Sequence, residues 1–166
     1  MNYYDNIKNK LIDNEIYKKV KDYSKNKSDL DTYYEVGKLL VSAGKHYGEG
    51  IIKQYSIKLI REVDKKYNTT LLKRIRQFYL LIEKGAPVAR QLSWSHYQEL
   101  IPVKDIDKIY YYINITIKNH LGKRELREKI KSKEYERLPN ETKYKLITKE
   151  ETTITDFIPN PIFIKK

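Results

Sequence analysis

The chain of 166 residues contains no cysteine, one tryptophan and one methionine. Without cysteine it cannot form disulfides or thiolate metal sites, which suits a reducing compartment, so we expect a cytoplasmic protein. The sequence also has no apolar run long enough to span a bilayer and no signal-peptide pattern at its N-terminus. We therefore expect no membrane association.

Acidic residues are in the minority: 22 Asp and Glu stand against 34 Lys and Arg, which gives a formal net charge of +12. Such a surface attracts polyanions, chiefly nucleic acid. AT-rich codons also favour Lys, Asn, Ile and Tyr, so lysine alone is a poor indicator. Arginine is scarcer, yet Arg61, Arg74 and Arg76 fall in one stretch, and residues 51–84 carry nine cations and three acids.

The residues that catalysis would need are missing or dispersed. His46, His96 and His120 lie far apart, without a carboxylate or a second histidine at the spacing of metal ligands. Ser93 and Ser95 flank a tryptophan rather than forming a nucleophile elbow. The carboxylates are mostly interleaved with Lys and Arg and read as solvated charge pairs. We expect no enzyme, no cofactor, no metal and no small-molecule substrate.

The most informative stretch runs from Gly48 to Lys84 and predicts a helix, a tight turn and a second helix. Asn68 suits a left-handed turn conformation, and either Thr69 or Thr70 can cap the second helix. The first helix repeats apolar residues at three- and four-residue steps, which places them on one face. These residues are Ile52, Tyr55, Leu59, Ile60, Val63 and Tyr67.

The second helix has a separate apolar stripe, formed by Leu71, Leu72, Ile75, Phe78, Tyr79 and Ile82. Four polar residues project away from it, namely Lys73, Arg74, Arg76 and Gln77. Leu80 and Leu81 continue in those outward directions, so we expect the later half of the helix to be buried. A helix with a cationic, exposed N-terminal half suits docking in the DNA major groove. We predict contacts to double-stranded DNA, with RNA or branched DNA left open, from these four residues and from Lys66, Thr69 and Thr70.

Two helices are predicted before this stretch. Residues 3–23 form the first, with Ile7, Leu11, Ile12, Ile16 and Val20 on its inner side. Residues 26–28 break it, and Ser28 or Asp29 caps the second helix, which ends near Ala43. The inner face of that helix is Leu30, Tyr33 or Tyr34, Gly37, Leu40 and Val41. A glycine within a helix costs stability, so Gly37 indicates the close approach of a neighbouring helix.

Three shorter helices are predicted after it. Residues 92–101 form the first, with Ser93 and Ser95 at its start and a capping box between Ser95 and Gln98. Residues 105–121 form the second, with Gly122 as its C-terminal stop. Its inward residues are Ile106, Ile109, Tyr110, Ile113 and Ile117. Residues 124–133 form the third, anchored by Leu126 and Ile130.

The predicted fold is therefore all-α, a multi-helix domain with a helix-turn-helix, winged-helix-like unit. We place this domain at residues 1–138 and an extended tail or linker at residues 139–166. Within the tail, residues 143–154 alternate weakly between polar and apolar residues, which is enough for a short strand or an extended tail. Pro159 and Pro161 indicate a linker or chain end.

Two other surfaces remain open from the sequence. Residues 105–130 also read as helix, turn and helix, and Lys123, Arg124 and Arg127 are secondary candidates for DNA contacts, diluted by Glu125 and Glu128. The 16 tyrosines and Trp94 could instead build a homodimer or a partner interface, since both residue types are enriched at interfaces. For Trp94 we favour packing in the core.

The segment Leu92-Ser93-Trp94-Ser95-His96-Tyr97 resembles a signature of the N-terminal domain of YhcG-like proteins. Weaker blocks follow the same order in both, including Tyr33 to Lys38, Leu72 to Tyr79 and Arg124 to Ile130. The resemblance implies a helical DNA-binding module of a nuclease. The nuclease domain, of the PD-(D/E)xK superfamily, would begin beyond Lys166, so the catalytic part would lie outside this chain.

Overall fold

The computed structural model describes residues 2–20, 25–140 and 142–143, and for residues 25–28 only the backbone. Within these ranges every regular element is helical, which confirms the all-α prediction. A short 3-10 helix, Ile101–Val103, follows the fifth α-helix. The α-helices are α1 Tyr3–Val20, α2 Lys25–Tyr47, α3 Ile51–Glu62, α4 Thr69–Glu83, α5 Trp94–Leu100, α6 Ile106–Asn119 and α7 Lys123–Lys131.

The chain divides into two compact units, Met1–Leu80 and Leu81–Lys166, so the division falls within α4. The predicted boundary at residue 138 lies near the end of the described residues and stays a prediction. The predicted strand at 143–154 and the tail to Lys166 lie outside the described residues, except for Lys143. The backbone N–H of Lys143 donates to the Pro139 carbonyl at 2.9 Å, as in a helix.

The first unit has a core of aliphatic and tyrosine side chains. The fully buried members include Ile7 and Leu11 of α1, Leu30, Val36 and Leu40 of α2, Ile52 and Leu59 of α3, Tyr67 of the following connector, and Leu72, Ile75 and Phe78 of α4. Tyr33, rather than Tyr34, takes the buried position on α2. The predicted apolar stripes of α3 and α4 therefore supply about half of this core. The inward placement of Ile60 is wrong, because this residue is 40% exposed.

The predicted inner face of α1 is wrong beyond its third turn. Ile16 and Val20 are 56% and 70% exposed, and the buried position is taken by Asn14, whose amide donates to the Asp29 carboxylate at 2.9 Å. The Lys18 ammonium lies 2.8 Å from the same carboxylate. A buried polar side chain needs such a partner. Asp29 lies 15 residues further along the chain on α2, so no spacing within one helix connects it to Asn14.

The predicted start and end of α2 are also wrong. Residues 26–28, predicted to break the first helix, lie within α2, which already begins at Lys25 and continues past Ala43 to Tyr47. Asp29 pairs with α1 instead of capping α2. The prediction for Gly37 is confirmed. A Cβ atom on Gly37 would lie 2.6 Å from both the Ile75 carbonyl oxygen and Tyr79 Cβ, so α2 and α4 pack in close contact.

In the second unit α6 contributes more buried residues than α5 or α7. Its buried residues are Ile109, Tyr111, Tyr112, Ile113, Asn114 and Thr116. The predicted inward positions Ile106, Tyr110 and Ile117 are only half-buried. The helix begins after Asp105, whose carboxylate accepts from the backbone N–H of Asp107 at 2.9 Å. A carboxylate in this position satisfies donors that have no partner within the helix.

The predicted role of Gly122 needs correction. The residue that ends α6 in the left-handed conformation is His120, with φ 51°. Gly122 instead precedes α7, and its backbone N–H donates to the Glu125 carboxylate at 2.9 Å. Only His120, Leu121 and Gly122 therefore separate α6 from α7.

Candidate nucleic-acid interface

The connector between α3 and α4 runs from Val63 to Asn68 and ends in a helix cap. Asn68 does not adopt the predicted left-handed conformation. Its side-chain oxygen accepts from the backbone N–H of Leu71 at 2.9 Å, so Asn68 itself caps α4. Thr69 and Thr70 lie in the first turn of the helix, where Thr70 is exposed and Thr69 is half-buried.

Tyr67 fixes the connector from within. It is completely buried, and its backbone carbonyl accepts from the Ser56 hydroxyl of α3 at 3.0 Å. Its own hydroxyl donates to the Glu15 carboxylate of α1. Burial raises the pKa of Tyr67, as does the Glu15 hydrogen bond, so the hydroxyl stays protonated as a donor. Contacts with α1 and α3 thus hold the connector that leads into α4.

Lys66, predicted to contact DNA, is held by the same carboxylate. Its ammonium pairs with Glu15, and its side chain is 39% exposed. Burial alone would lower the pKa of Lys66, but the Glu15 carboxylate raises it overall. Burial likewise works against ionisation of Glu15, yet the hydrogen bonds from Lys66 and Tyr67 lower its pKa. Lys66 is therefore a charged structural contact of the connector.

The solvent-facing side of α4 is formed by Thr70, Lys73, Gln77 and Leu80, all exposed. Steps of three and four residues place them on one side of the helix. The prediction that the later half of α4 is buried is therefore wrong for Leu80, which is 42% exposed. No Asp or Glu occurs from Thr69 to Ile82. We call Thr70, Lys73 and Gln77 the α4 strip. It combines two hydrogen-bonding side chains and one cation.

Arg74 and Arg76 do not share this strip. They are two positions apart, so at 100° per residue they point to opposite edges of it, and both are half-buried. Arg76 Nη1 lies 2.7 Å from Glu49 Oε2, and the Arg76 side chain is 19% exposed. Of the four residues predicted to face a groove, two share one face, Arg74 lies at its edge, and Arg76 is neutralised by a carboxylate.

The outer side of α3 adds further cations. Lys53, Lys58 and Arg61 are exposed, as is Lys65 in the connector. The Lys58 ammonium lies 4.1 Å from the centre of the Tyr4 ring.

Glu62, at the end of α3, already has partners on α1. It accepts from the Tyr4 hydroxyl at 2.6 Å and pairs with Lys8 at 3.1 Å. These contacts, the Tyr4 hydrogen bond first, lower the pKa of Glu62 to about 2. It also lies 3.4 Å from Arg61, so it offsets part of the charge on this side.

The secondary candidates lie at the start of α7. Lys123, Arg124 and Arg127 are all exposed. Arg127 is occupied by Glu99 of α5, which accepts from its Nε at 3.2 Å and its Nη2 at 2.8 Å. This forked contact raises the pKa of Arg127 and leaves Lys123 and Arg124 as the cations at the start of the helix. The glutamates that neutralise arginines were not found from the sequence, because each is distant along the chain.

The tryptophan signature has a structural role. Ser93 caps α5, but its partner is His96 rather than the predicted pair Ser95 and Gln98. The Ser93 backbone N–H donates to His96 Nδ1 at 3.0 Å, and His96 Nε2 lies 2.8 Å from the Leu121 carbonyl oxygen. Since a backbone N–H can only donate and a carbonyl can only accept, His96 fits both contacts as the neutral Nε2–H form. Ser95 is exposed.

The two aromatic residues of the signature are interior. Trp94 is 8% exposed, which confirms that it packs in the core. The Tyr97 hydroxyl accepts from the Ala89 backbone N–H at 2.7 Å and donates to the Pro87 carbonyl at 3.0 Å. Burial raises the pKa of Tyr97. The signature therefore shapes the chain on both sides of α5.

In the parts of the chain that the structure describes, no three His, Asp or Glu side chains gather closely enough to hold a metal ion. The same residues include no helix of the length and apolarity that crossing a bilayer requires. No catalytic arrangement is found among them.

Comparison with known proteins gives one match. No curated protein and no solved structure matches the chain significantly. The profile of the DUF1016 N-terminal domain, a domain of unknown function, matches residues 9–137, which is most of the chain. The chain therefore belongs to the family of DUF1016 N-terminal domains, which confirms its resemblance to the N-terminal domain of YhcG-like proteins.

Proposed function

We propose that this domain binds double-stranded DNA through the α4 strip and Arg74 at its edge. One observation carries the proposal: the exposed side of α4 offers Thr70, Lys73 and Gln77, with no carboxylate in the helix before Glu83. The N-terminal end of a helix also bears a partial positive charge, which favours phosphate oxygens nearby. The partial positive charge of the helix N-terminus and the positive charge of the Lys73 side chain thus lie towards the same end of α4.

Each side chain has a defined use on a duplex. The Lys73 ammonium and the Thr70 hydroxyl can bind phosphate oxygens, which sets the position of the helix. The Gln77 amide can pair with the exposed edge of adenine, and the Arg74 guanidinium with guanine or phosphate. Thr69, half-buried at the first turn, is suited to a phosphate contact by its hydroxyl.

The α4 strip has a rigid support. Leu72, Ile75 and Phe78 on the opposite side are completely buried, and Gly37 brings α2 into close contact with α4. A recognition surface whose backing is well packed is held in one geometry, which lowers the entropic cost of binding. The resemblance to YhcG-like proteins adds a role for this binding, which is to deliver a nuclease domain to its target.

The test is a titration of a fluorescent duplex by anisotropy at several salt concentrations. We expect the double variant Lys73→Gln/Arg74→Gln to weaken binding roughly sixtyfold at 0.1 M salt, from about eightfold for each lost phosphate contact. The slope of log Kobs against log salt should flatten by about 0.9 per contact. RNA duplexes and four-way junctions, used as competitors, identify the preferred nucleic acid.

The matched control is Lys19→Gln/Lys38→Gln, which removes the same charge from exposed positions on α1 and α2. If the affinity fell equally in the two double variants, the loss would be due to the lower net charge of the protein and not to the α4 strip. A wild-type protein that fails to bind any duplex at low salt would overturn the proposal.

A second candidate function, a protein-interaction module, is favoured by exposed apolar side chains on the same helices. Ile57 and Ile60 of α3 are 57% and 40% exposed, and Leu80 of α4 is 42% exposed. Apolar side chains in this position can anchor a partner or a second copy. Light scattering of wild-type protein and of Ile57→Glu separates the two functions: a dimer that Ile57→Glu dissociates, without duplex affinity, would favour assembly.

A further inference from the structure

The contact between Glu49 and Arg76 suggests how the proposed DNA-binding surface is tuned. We infer that Glu49 takes the place of a DNA phosphate on Arg76, so that the free protein keeps one phosphate-binding position masked. This inference rests on the proposed function. Its starting observation is the distance of 2.7 Å between Arg76 Nη1 and Glu49 Oε2. Carboxylate and phosphate oxygens are equivalent acceptors for a guanidinium, and each can replace the other.

The two side chains differ strongly in exposure. The Arg76 side chain is 19% exposed, whereas the Glu49 side chain is 81% exposed. Little of the Arg76 side chain is therefore accessible to solvent in the free protein, whereas the carboxylate that it contacts is surrounded by solvent. An exposed ion pair contributes little to stability. A phosphate that is held in place by contacts elsewhere on the surface can displace such a carboxylate.

The backbone around Glu49 leaves room for this displacement. Glu49 lies between two glycines, and Gly48 has a φ of +90° that an ordinary residue rarely adopts. A Cβ atom added at Gly48 or at Gly50 would meet nothing within 4 Å. The segment therefore runs through open space before α3, and the Glu49 side chain can leave Arg76 without disturbing the core.

Arg76 lies on the edge of α4 opposite Arg74, so releasing it would extend the cationic surface to both sides of the α4 strip. While Glu49 remains, this edge carries a carboxylate that is repelled by phosphate. DNA binding must then replace one anion by another. The free energy gained from Arg76 is correspondingly smaller than that gained from an unpaired arginine.

The experiment is a duplex titration by anisotropy with Glu49→Gln, Arg76→Gln and the double variant. Glu49→Gln should bind several-fold more tightly at 0.1 M salt, up to about eightfold, and its salt dependence should steepen by up to about 0.9 in slope. The gain should vanish in the double variant, because no arginine is left to release. A gain in affinity cannot come from misfolding.

The control is Glu35→Gln, which removes one carboxylate from an exposed position on α2. Equal affinities for Glu49→Gln and Glu35→Gln, in a protein whose binding is weakened by Lys73→Gln/Arg74→Gln, would overturn the masking of Arg76 and leave the proposed function standing. A gain that persists without Arg76 would overturn it as well. Failure of every variant to bind would instead reject the proposed function.

Discussion

The helix pair α3–α4, which lies mostly in the first unit, and the helix pair α6–α7 of the second unit are two versions of a basic helix that follows a turn. The connector of α3–α4, Val63 to Asn68, is the longer one and is held by buried Tyr67 and by the Asn68 cap. The connector of α6–α7 consists only of His120 to Gly122, with His120 left-handed. By turn length alone, α6–α7 is closer to the common helix-turn-helix arrangement of DNA-binding proteins.

The charges rank the pairs in the opposite order. Each pair loses an arginine to a distant glutamate, Arg76 to Glu49 and Arg127 to Glu99. The α4 helix has no acid before Glu83, whereas α7 carries Glu125 and Glu128 among its cations. Because phosphate contacts supply most of the affinity for DNA, charge should outweigh turn length. The comparison teaches that each pair loses one arginine to a distant glutamate, and that the acids within the basic helix itself separate the two candidates.

Removing two cations from each helix pair tests this ranking most directly. We expect Lys73→Gln/Arg74→Gln to weaken duplex binding by about sixtyfold at 0.1 M salt, which is about 2.4 kcal/mol. Lys123→Gln/Arg124→Gln removes the same charge from α7 and should weaken binding by less than about threefold, through net charge alone. Anisotropy titrations at matched salt measure both. The opposite ranking would transfer the proposed site to α7.

The support of α4 can be tested at two glycines of α2. In Gly37→Ala the new Cβ would lie 2.6 Å from atoms of Ile75 and Tyr79, so helices must move apart, at a cost of about 1–3 kcal/mol. In Gly44→Ala the Cβ meets nothing within 4 Å, and the better helix propensity should stabilise by about 0.5–1 kcal/mol. Urea unfolding followed by circular dichroism measures both variants. Equal effects of the same sign would contradict the close packing of α2 on α4.

Much of the α3–α4 pair could be predicted from sequence because its signals are local. The apolar repeats of both helices follow from residues within a few turns of one another, and a glycine within a helix is itself the signal of a close approach at Gly37. The connector is predicted less well, because Asn68 is a helix cap and not a left-handed residue. The stop after Lys84 is marked by Gly85, which adopts a φ of +115°. Where a helix boundary depends on neighbouring residues, the sequence suffices.

The rest depended on partners far along the chain. Arg76 and Glu49 are 27 residues apart, and Arg127 and Glu99 are 28 residues apart. No rule of helix spacing connects such residues, so the two arginines read as free cations. The same limit explains the false break before Asp29, a residue that resembles a cap in the sequence but pairs with Asn14 of α1. The local sequence pattern therefore does not show ion pairs and hydrogen bonds between residues that are far apart in the sequence.

A smaller effect is expected under acid conditions, from Glu62 at the end of α3. The hydrogen bond from Tyr4, with Lys8 nearby, lowers the pKa of Glu62 to about 2 in the folded protein, against an ordinary value of about 4.3 in the unfolded chain. Between these values the unfolded chain binds more protons, so the stability that Glu62 contributes is full above about pH 5 and is lost as the pH falls towards 2.

Glu62→Gln removes this dependence. The variant should unfold at a lower temperature than wild type at pH 7, and the difference should shrink as the pH falls from 5 to 2, in circular dichroism melts. Glu35→Gln, on the exposed face of α2, is the control and should show a smaller difference at pH 7. If the gap between Glu62→Gln and wild type were constant across this range, the carboxylate would not be ion-paired at the end of α3, and the acid that offsets Arg61 would have to be sought elsewhere.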